Sequence, residues 1–518
     1  MASTARAQNK QSTRDEEHLS VAHDEANALI STVAACETTG TPHQFQDAGD
    51  SLGSGMFGAV LRVKCRVCGK CFARKDVTPD QTNDDVKLKK SLDQIDQELN
   101  FLRHLHHPHI IAYVHHKRPK RQVDAYQIFT EYCELGDISA LIKVKAEYSD
   151  KFIWNVCEAI ASALAQCHQG LRSIRVGSEE SYVGIDAHWA PIIHRDVKPA
   201  NVFLSSLLPG LSKDEAAAMA IKCIDGVVVK LGDFGAACRL KEGTLHTTMT
   251  GTQAYWPPEV KEEALSSGRV TGWSSATDIC SLAATLYSLL TFHLPNEKIG
   301  EVPISARIAQ LKDELPDGRT EASEVLLKLI CDCLDRQPAR RPIALTLLAV
   351  SLKAGSSDGN LRRSESFWTT LAKDSHQAHR QMISQTVRDF SGQYLPLLHA
   401  TFTSKEICAI MSLTATYSKQ SLKTTANRLT EKPKTVFHAA AELTPTDKEF
   451  ANLVWEVTQW PSSPALEGLV IRSDKDGLYP SQIAAERGSR PICKMLSKID
   501  SARSQRGTAH TRGSHVES

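Results

Sequence analysis

The stretch IIHRDVKPANVFL, residues 192–204, places a polar loop between two apolar runs. The two isoleucines that open it and the Val-Phe-Leu that closes it are typical of short buried strands. A loop held between two core anchors suits chemistry, because the scaffold fixes its side chains. His-Arg-Asp alone could be a surface turn, but the longer pattern with Asp196, Lys198 and Asn201 is much rarer. We therefore predict a catalytic loop here.

Composition narrows the class of protein. The 518 residues are 41% hydrophobic and 23% charged, which is typical of a globular chain with two or three domains. A net charge of +1 gives no electrostatic reason to expect nucleic acid or an anionic membrane as a partner. No apolar run approaches the roughly 20 residues that span a bilayer, and the first residues carry no secretory signal. We expect a cytoplasmic or nuclear protein with reduced cysteines.

The chain reads as five successive segments. Residues 1–46 are polar and weakly patterned, which predicts a disordered extension. Residues 47–353 alternate strand-like and helical runs and contain the motifs discussed below. The composition of residues 354–366 is typical of a linker. Residues 367–500 carry helical periodicity, and residues 501–518 are expected to form a disordered tail.

A glycine-rich stretch, LGSGMFGAV at residues 52–60, has the spacing G-x-G-x-x-G through Gly53, Gly55 and Gly58. Glycines let a backbone approach phosphate oxygens and expose its N–H groups to them. The motif alone is a weak signal. Two β-like runs separated by the turn-forming CGK follow it, so the loop leads into a hairpin rather than a helix. This context disfavours a Rossmann dinucleotide site.

Lys75 lies on the second strand of that predicted hairpin. A lone lysine on a strand is usually a solvated edge residue. Residues 91–105, however, form a helix with an apolar stripe, and Glu98 lies beside the stripe where it can point inward. A buried pair of Lys75 with Glu98 beneath a glycine loop would hold a cation against nucleotide phosphates.

The glycine loop, Lys75, Glu98, HRDVKPAN and the later LGDFG occur in the order that eukaryotic protein kinases require. The chain resembles this family over residues 47–353. Within the family, NVFL and KLGDFG resemble the NIMA-like serine/threonine kinases. The resemblance implies an α+β, two-lobed kinase fold, with a β-rich N-lobe and a helical C-lobe, followed by a mainly helical C-terminal module. It also implies ATP and Mg²⁺ as nucleotide and metal.

The resemblance assigns roles to the loop residues. Asp196 would orient the substrate hydroxyl and accept its proton, and Lys198 would neutralise charge on the transferred phosphoryl group. Asn201 and Asp233 would bind Mg²⁺. The residues implied in nucleotide binding belong to the glycine loop, the neighbouring strand, the inward helix and the segment that joins the lobes: Leu52, Gly53, Ser54, Gly55, Met56, Phe57, Gly58, Ala59, Val60, Ala73, Lys75, Glu98, Glu131 and Cys133.

Substrate class follows from the same resemblance. Lys198 together with Thr252, in GTQAYWPPE, is the family's mark of serine/threonine specificity, so the expected partners are protein substrates. Thr252 is expected to hydrogen-bond both Asp196 and Lys198. Glu259 ends the segment in PPE where the family usually has APE, and Arg341 is its expected buried partner.

The segment between LGDFG and PPE bears on regulation. Arg195 precedes the catalytic Asp196 in a buried loop and needs a counter-anion. The segment offers several threonines and few acids, so we expect phosphate on Thr247 or Thr248 to supply the anion and order the loop.

Two insertions and two substitutions depart from the family pattern. One insertion lies between Asn201 and Asp233, and the other, LRSIRVGSEESYVGIDAHWA, precedes the catalytic loop. Both are expected in surface loops, which tolerate added length. Cys280 and Ala283 replace the family's Trp and Gly. None of these changes touches the transfer residues.

Two clusters resemble metal sites. CRVCGKC has C-x-x-C spacing and could bind zinc with a fourth ligand. It lies across the hairpin turn and no second C-x-x-C pair follows nearby, so a structural role without metal is favoured. RHLHHPHI, residues 103–110, is interpreted as the turn from helix to strand.

The C-terminal region gives weaker signals. Residues 474–498 resemble one ankyrin repeat, with a D-G turn and two short helices. A single repeat cannot bury its own faces, so it would dock on the preceding helices. This region is as well suited to cap a helical bundle as to bind a regulatory or substrate protein. The alternative function is a pseudokinase or adaptor scaffold, but the four residues whose loss would indicate a pseudokinase, Lys75, Asp196, Asn201 and Asp233, are all present.

Overall fold

A computed structural model describes most of the first 398 residues of the chain and a few positions beyond them. The two compact units into which it divides are Met1–Ala344 and Leu345–Ser518. The described ranges are 35–36, 38–55, 58–79, 85–120, 124–146, 148–176, 179–206, 227–240, 249–268, 270–316, 323–355 and 358–398, with single positions between 402 and 486.

The N-lobe is built on a five-stranded antiparallel sheet with the strand order β1-β2-β3-β5-β4. Strands β1 (Phe45–Gly55), β2 (Gly58–Cys65) and β3 (Cys71–Val77) precede helix α1 (Asp85–His104), which is followed by β4 (Tyr113–Lys117) and β5 (Tyr126–Glu131). The predicted hairpin after the glycine loop is confirmed as β2 and β3, which pair in antiparallel register.

Helix α1 buries the stripe that its sequence predicts. Ile95, Leu99 and Leu102 are almost fully buried, and Glu98 is buried beside them. A buried carboxylate needs a partner, because isolated burial of a charge is costly. The helix therefore delivers one acidic side chain to the interior of the lobe.

The C-lobe is mainly helical and begins with α2 (Ser139–Lys143) and α3 (Asp150–Gln169). The hairpin of β6 (Leu171–Val176) and β7 (Glu179–Ile185) comes next. Short strands β8 (Ile192–Ile193), β9 (Val202–Ser206), β10 (Val227–Leu231) and β11 (Cys238–Arg239) then frame the active-site loops. Helices α4 (Pro258–Ser267), α5 (Ser275–Thr291), α6 (Ile304–Asp313) and α7 (Glu324–Cys333) complete the lobe.

Helix α3 is the central helix of this lobe. Its residues from Phe152 to His168 are nearly all buried. Ser149 caps its first turn by accepting a hydrogen bond from the Phe152 N–H, and Gly170 ends it in the left-handed conformation at φ 73°. Helix α5 is also almost entirely buried. Its small hydroxyl side chains donate to carbonyl oxygens one turn earlier, as Thr285 does to Ser281, so they can lie inside the core.

The two apolar flanks of IIHRDVKPANVFL are strands, as predicted. β8 pairs with β11, and β9 pairs with β10, both in antiparallel register. The loop of residues 194–201 therefore lies between two strands that are each fixed by a partner. This arrangement positions the polar side chains of the loop.

The insertion before the catalytic loop forms the β6–β7 hairpin, and the prediction that it is a surface loop is wrong. Glu180 and Tyr182 are only 3% and 4% exposed. His109 Nε2 lies 3.0 Å from Glu180 Oε2, and Ser162 Oγ lies 3.3 Å from the Tyr182 hydroxyl. The hairpin packs on the core because it supplies a large aromatic ring and a partner for a buried histidine. The other insertion, residues 207–226, lies outside the described residues.

The histidine tract is the turn from α1 to β4, as interpreted from the sequence. His107 Nδ1 accepts a hydrogen bond from the His109 N–H at 3.0 Å, and His109 Nδ1 lies 2.8 Å from the Val229 carbonyl oxygen. Burial lowers the pKa of His107 to about 3. The histidines thus satisfy buried polar groups of the protein.

The unit Leu345–Ser518 contains most of α8 (Ala344–Ala354), together with α9 (Asp358–Lys373) and α10 (Arg380–Asp389). Helix α9 covers most of residues 354–366, where composition predicted a linker. The difference arises because α9 continues into Phe367, Trp368 and Leu371, whose buried side chains anchor the helix. Almost all of the predicted ankyrin-like repeat at 474–498 lies outside the described residues.

Residues just before β1 also differ from the disordered extension predicted for 1–46. Ala35 and Pro42 form an isolated antiparallel bridge, and Cys36 and His43 are buried. Residues 1–34 lie outside the described residues. In the part of the chain that is described, none of the helices combines the length and apolarity needed to cross a bilayer.

Candidate active site

The catalytic loop is closed by hydrogen bonds around Asp196. Lys198 Nζ donates to Asp196 Oδ2 at 2.8 Å and to the Thr252 hydroxyl oxygen at 2.6 Å. The Thr252 N–H donates to Asp196 Oδ1 at 2.8 Å. The predicted contacts of Thr252 are therefore confirmed, although the bond to Asp196 comes from the backbone rather than from the hydroxyl. Both carboxylate oxygens are oriented before any substrate binds.

Asn201 is fixed against the same carboxylate. Its Nδ2 donates to the Asp196 carbonyl oxygen at 2.8 Å and to Asp196 Oδ2 at 3.0 Å. Because the amide nitrogen makes both bonds, the amide oxygen Oδ1 is turned away from Asp196. An amide oxygen is a hard ligand of the kind that Mg²⁺ accepts, so this orientation fits a metal site.

Lys75 lies between the carboxylates of Glu98 and Asp233, and its predicted pair with Glu98 is present. Its Nζ lies 2.7 Å from Glu98 Oε1 and 2.8 Å from Asp233 Oδ1. Burial alone would lower the pKa of Lys75, but the two carboxylates outweigh it and raise this pKa above its usual range. Burial likewise opposes ionisation of Asp233, yet Lys75 lowers the pKa of Asp233 overall. The cation and the carboxylate of Asp233 both persist at neutral pH.

The glycine loop joins β1 to β2. Gly58 has φ +130°, and a Cβ atom at this position would lie 1.8 Å from the Asp76 carbonyl oxygen. No other residue fits so close to the neighbouring strand, which explains the third glycine of the motif. Leu52 is 41% exposed. Met56 and Phe57 lie outside the described residues, and only the backbone of Ser54 and Gly55 is described. The phosphate-binding role predicted for this loop therefore stays a prediction.

One face of the sheet carries three of the predicted nucleotide residues. Val60 pairs with Lys75 across β2 and β3. Ala73 precedes Lys75 by two positions and therefore points to the same side of the sheet. Val60, Ala73 and Lys75 form a surface with an apolar part beside a cation.

The predicted nucleotide-binding residues between the lobes lie at the end of β5: Glu131 is its last residue, and Cys133 follows it. The Glu131 carboxylate accepts the Ala112 N–H at 2.6 Å and lies 2.8 Å from Lys230 Nζ. Cys133 is buried, and burial raises the pKa of its thiol. Because the Glu131 side chain already contacts other groups of the protein, a ligand at this segment would bind to its backbone.

Asp278 anchors the catalytic loop, a role that the sequence reasoning missed. Its Oδ2 accepts the His194 N–H and its Oδ1 accepts the Arg195 N–H, both at 2.8 Å. His168 Nε2 lies 2.8 Å from Oδ2. Asp278 is fully buried at the start of α5. The available signal was a single charged residue in the run SATDICSLAATL, which is otherwise uncharged.

Arg195 is held in a strained backbone conformation at φ 63°. Its Nε donates to the Ala236 carbonyl oxygen at 2.7 Å, and its guanidinium lies 5.7 Å from the centre of the Trp273 ring. Within the described residues, its NH1 nitrogen is buried without a hydrogen-bond partner. Burial lowers the pKa of Arg195. Thr247 and Thr248, the predicted phosphate carriers, lie outside the described residues.

Two further contacts fix the DFG segment against the catalytic loop and hold the end of the peptide-docking segment. The rings of His194 and Phe234 meet edge to face with centroids 4.8 Å apart. Arg341 donates from NH1 and NH2 to the two carboxylate oxygens of Glu259, each at 2.7 Å. The predicted buried pair of Arg341 with Glu259 is confirmed.

Comparison with known proteins agrees with this geometry. The family model described as "Protein kinase domain" matches residues 47–352, which is more than half of the chain. The chain belongs to the protein kinase family. The match begins and ends within one residue of the region that the motifs predicted.

Three curated relatives share 28% identity with the chain. They are the G2-specific protein kinases nim-1 of Neurospora crassa and nimA of Emericella nidulans, and the serine/threonine-protein kinase Nek1 of Toxoplasma gondii. The matches cover 58%, 58% and 59% of this chain, but only 32%, 40% and 17% of the relatives. The similarity therefore concerns the kinase domain and leaves most of each relative unmatched.

Proposed function

We propose that the chain is an ATP-dependent protein serine/threonine kinase that uses Mg²⁺. The observation that carries the proposal is the position of Lys198 between the Asp196 carboxylate and the Thr252 hydroxyl. This contact ties the catalytic base to the segment that docks the peptide. The name of the Nek1 relative supports the serine/threonine class. The relatives called nim-1 and nimA support a NIMA-like member.

Asp196 orients the hydroxyl of a bound serine or threonine toward the γ-phosphorus of ATP. Its carboxylate is fixed by three neighbours, so little reorganisation is needed when the substrate arrives. The Asp196 carboxylate accepts the hydroxyl proton as the bond to phosphorus forms and the bond to the leaving ADP oxygen breaks. Lys198 offsets negative charge on the transferred phosphoryl group.

Other residues of the site would bind the metal ion and the ATP phosphates near Asp196. Asn201 Oδ1 and the Asp233 carboxylate would hold Mg²⁺, which supplies positive charge to the ATP phosphates when bound. Lys75, kept charged by Glu98, meets the α and β phosphates. Beneath the sheet, Val60 and Ala73 cover the adenine, and the backbone of residues 131–133 hydrogen-bonds its edge.

Replacement of Asp196 with Asn tests this function. The full chain and the variant are incubated with ATP, Mg²⁺ and peptides that differ only in carrying Ser, Thr or Tyr. We expect transfer to Ser and Thr peptides by the native chain, and a fall in kcat of about 10²- to 10⁴-fold in Asp196→Asn with the Kd for ATP little changed. Asp96→Asn is the matched control, because Asp96 is exposed and lies outside the site. Equal kcat for Asp196→Asn and the control would contradict the assignment, and transfer confined to Tyr would contradict the substrate class.

We also propose that the unit Leu345–Ser518 binds a regulatory or substrate protein. Support comes from its own buried contacts, such as the ion pair of Lys353 Nζ with Glu406 Oε1 at 2.7 Å, which give it a rigid framework separate from the transfer residues. The full chain with Asp196→Asn should retain a protein partner in a pull-down, and truncation after residue 355 should release it. Retention of the partner by the truncated chain would place its binding on the kinase domain.

A further inference from the structure

Three cysteines and a histidine converge at the edge of the N-lobe sheet. The side chains of Cys36, His43, Cys65 and Cys68 place one ligand atom each within 4.8 Å of all the others. The first two precede β1, Cys65 ends β2, and Cys68 lies in the turn between β2 and β3. We propose that these four residues form a structural zinc site that binds the segment before β1 to the hairpin turn.

The ligand set fits zinc closely. Three thiolates and one imidazole are a common set for a structural Zn²⁺ site, with Zn–S near 2.3 Å and Zn–N near 2.0–2.1 Å. Tetrahedral geometry at these bond lengths separates sulfur from nitrogen by about 3.5 Å and two sulfurs by about 3.8 Å. Cys68 Sγ lies 3.6 Å from His43 Nδ1. A small inward adjustment of the remaining side chains closes the tetrahedron.

The backbone of both segments is shaped to present these atoms. The N–H groups of Thr39 and Gly40 donate to the Cys36 carbonyl oxygen at 3.1 and 2.7 Å, and the Cys36 N–H donates to Thr41. This tight turn brings His43 back beside Cys36. Both ligands of the first segment are therefore placed by local hydrogen bonds.

The second segment is a tight turn of its own. The Gly69 N–H donates to the Cys65 carbonyl oxygen at 3.0 Å, and the Cys65 N–H donates to Lys70 at 2.9 Å. Gly69 has φ +73°, a conformation that favours glycine directly after Cys68.

Cys71 is excluded from the set although it completes the sequence CRVCGKC. It precedes Phe72 on β3, and Phe72 belongs to the same buried cluster as Cys36 and Cys65. Successive side chains of a strand point to opposite faces, so the Cys71 thiol faces away from the cluster. The sequence pattern therefore pointed to the correct turn, whereas the remaining ligands come from a segment upstream.

The site is closed and remote from the phosphates. All four coordination positions are taken by protein side chains, which is the arrangement of structural zinc rather than catalytic zinc. The glycine loop begins β2 and Cys65 ends it, so the two sites are about 23 Å apart along the strand. The Cys36 thiol and the His43 ring also pack against the sheet, where His43 lies 4.5 Å from the Phe72 ring centroid. Zinc here stabilises the N-lobe and takes no part in transfer.

The first test measures metal in the full chain, purified without a histidine tag and treated with excess Mg²⁺ to displace weakly bound ions. Elemental analysis should find one zinc ion per chain. A strong zinc chelator should remove it and lower Tm, and added Zn²⁺ should restore both. A native chain that contains no zinc, and whose Tm does not respond to chelator or to Zn²⁺, overturns the proposal, as does a disulfide among these cysteines in the zinc-free native chain.

The second test uses Co²⁺ as a spectroscopic probe of the same site. Loading the chelator-treated chain with Co²⁺ should give the intense visible bands of tetrahedral cobalt and thiolate charge-transfer absorption in the near ultraviolet. Cys71→Ser should keep the zinc ion and the spectrum, whereas Cys68→Ser should lose both. His43→Cys should retain zinc and shift the spectrum toward four-thiolate coordination. Loss of zinc in Cys71→Ser equal to that in Cys68→Ser would overturn this ligand assignment.

Discussion

Replacing Asp278 with Asn should destabilise the kinase domain strongly while changing very little volume. The carboxylate accepts hydrogen bonds from the His194 and Arg195 N–H groups and lies 2.8 Å from His168 Nε2. These groups approach both oxygens, and Asp278 is fully buried. The amide of Asn offers one oxygen, and its NH₂ group would face a donor.

The magnitude follows from counting the bonds that Asn cannot make. An amide oxygen in the place of Oδ2 keeps two partners, so one hydrogen bond to a charged acceptor is lost, at about 1.5–3 kcal/mol, and the buried Asn NH₂ group faces the Arg195 N–H, at about 1–3 kcal/mol more. The expected decrease in the free energy of unfolding is therefore about 2.5–6 kcal/mol. This is a large fraction of the roughly 5–15 kcal/mol that holds a typical domain folded.

The assay is urea denaturation of the full chain, followed by tryptophan fluorescence. Asp96→Asn is the control, because Asp96 pairs with Arg118 at 2.8 Å while both side chains are more than half exposed. Exposed pairs contribute about 0–1 kcal/mol, so the control should lie close to the native chain. A decrease for Asp278→Asn that is no larger than the decrease for the control would refute the argument that Asp278 holds the catalytic loop.

The remaining predictions concern metal, packing and regulation. Asp233→Ala should abolish the Mg²⁺-dependent rise in Tm that ATP gives the native chain, and a thermal shift equal to the native one would place the metal elsewhere. Arg341→Lys should lower the free energy of unfolding by about 2 kcal/mol or more, because lysine cannot reproduce the two-pronged contact with Glu259; an unchanged urea midpoint would argue against that contact. Mass spectrometry of active protein should find phosphate on Thr247 or Thr248, and the double Ala variant should lose most activity, as should phosphatase treatment. Full activity of the unphosphorylated double variant would show that other contacts order the loop.

The contacts of the active site that could be predicted are those that sequence motifs and local sequence patterns specify. The pair of Lys75 with Glu98 follows from one strand position and one helix stripe, and the structure places the two atoms 2.7 Å apart. The contact of Lys198 with Thr252 is implied by the resemblance of two motifs to those of protein kinases, and it is present at 2.6 Å. Such motifs specify their own geometry, because a short loop between two anchored strands has few conformations.

The parts that sequence reasoning missed depend on contacts between distant segments. Asp278 lies 84 positions from His194, and the spacing gives no sign that their atoms meet. The segment that forms the β6–β7 hairpin is predicted as a surface loop, because surface loops tolerate insertions. Its burial became evident only with His109 as a partner, 71 positions away. A buried polar residue is recognisable only together with the group that satisfies it.

The proposed zinc site also depends on contacts between segments that are distant in the sequence, and it shows why composition alone can mispredict disorder. The CRVCGKC pattern was judged without its upstream partners, since Cys36 and His43 lie in a stretch whose composition predicts disorder. Composition measures how much apolar area a segment can bury, and a segment that cannot bury enough can still be held by a metal ion, because binding free energy then adds to folding free energy. Among the described residues 35–36 and 38–44, the buried side chains are those of Cys36 and His43, which pack against the sheet. The ordered conformation of this segment should therefore depend on zinc more than that of β1 does. When zinc is removed, the backbone amides of residues 35–44 should become exposed to hydrogen exchange before those of the catalytic loop.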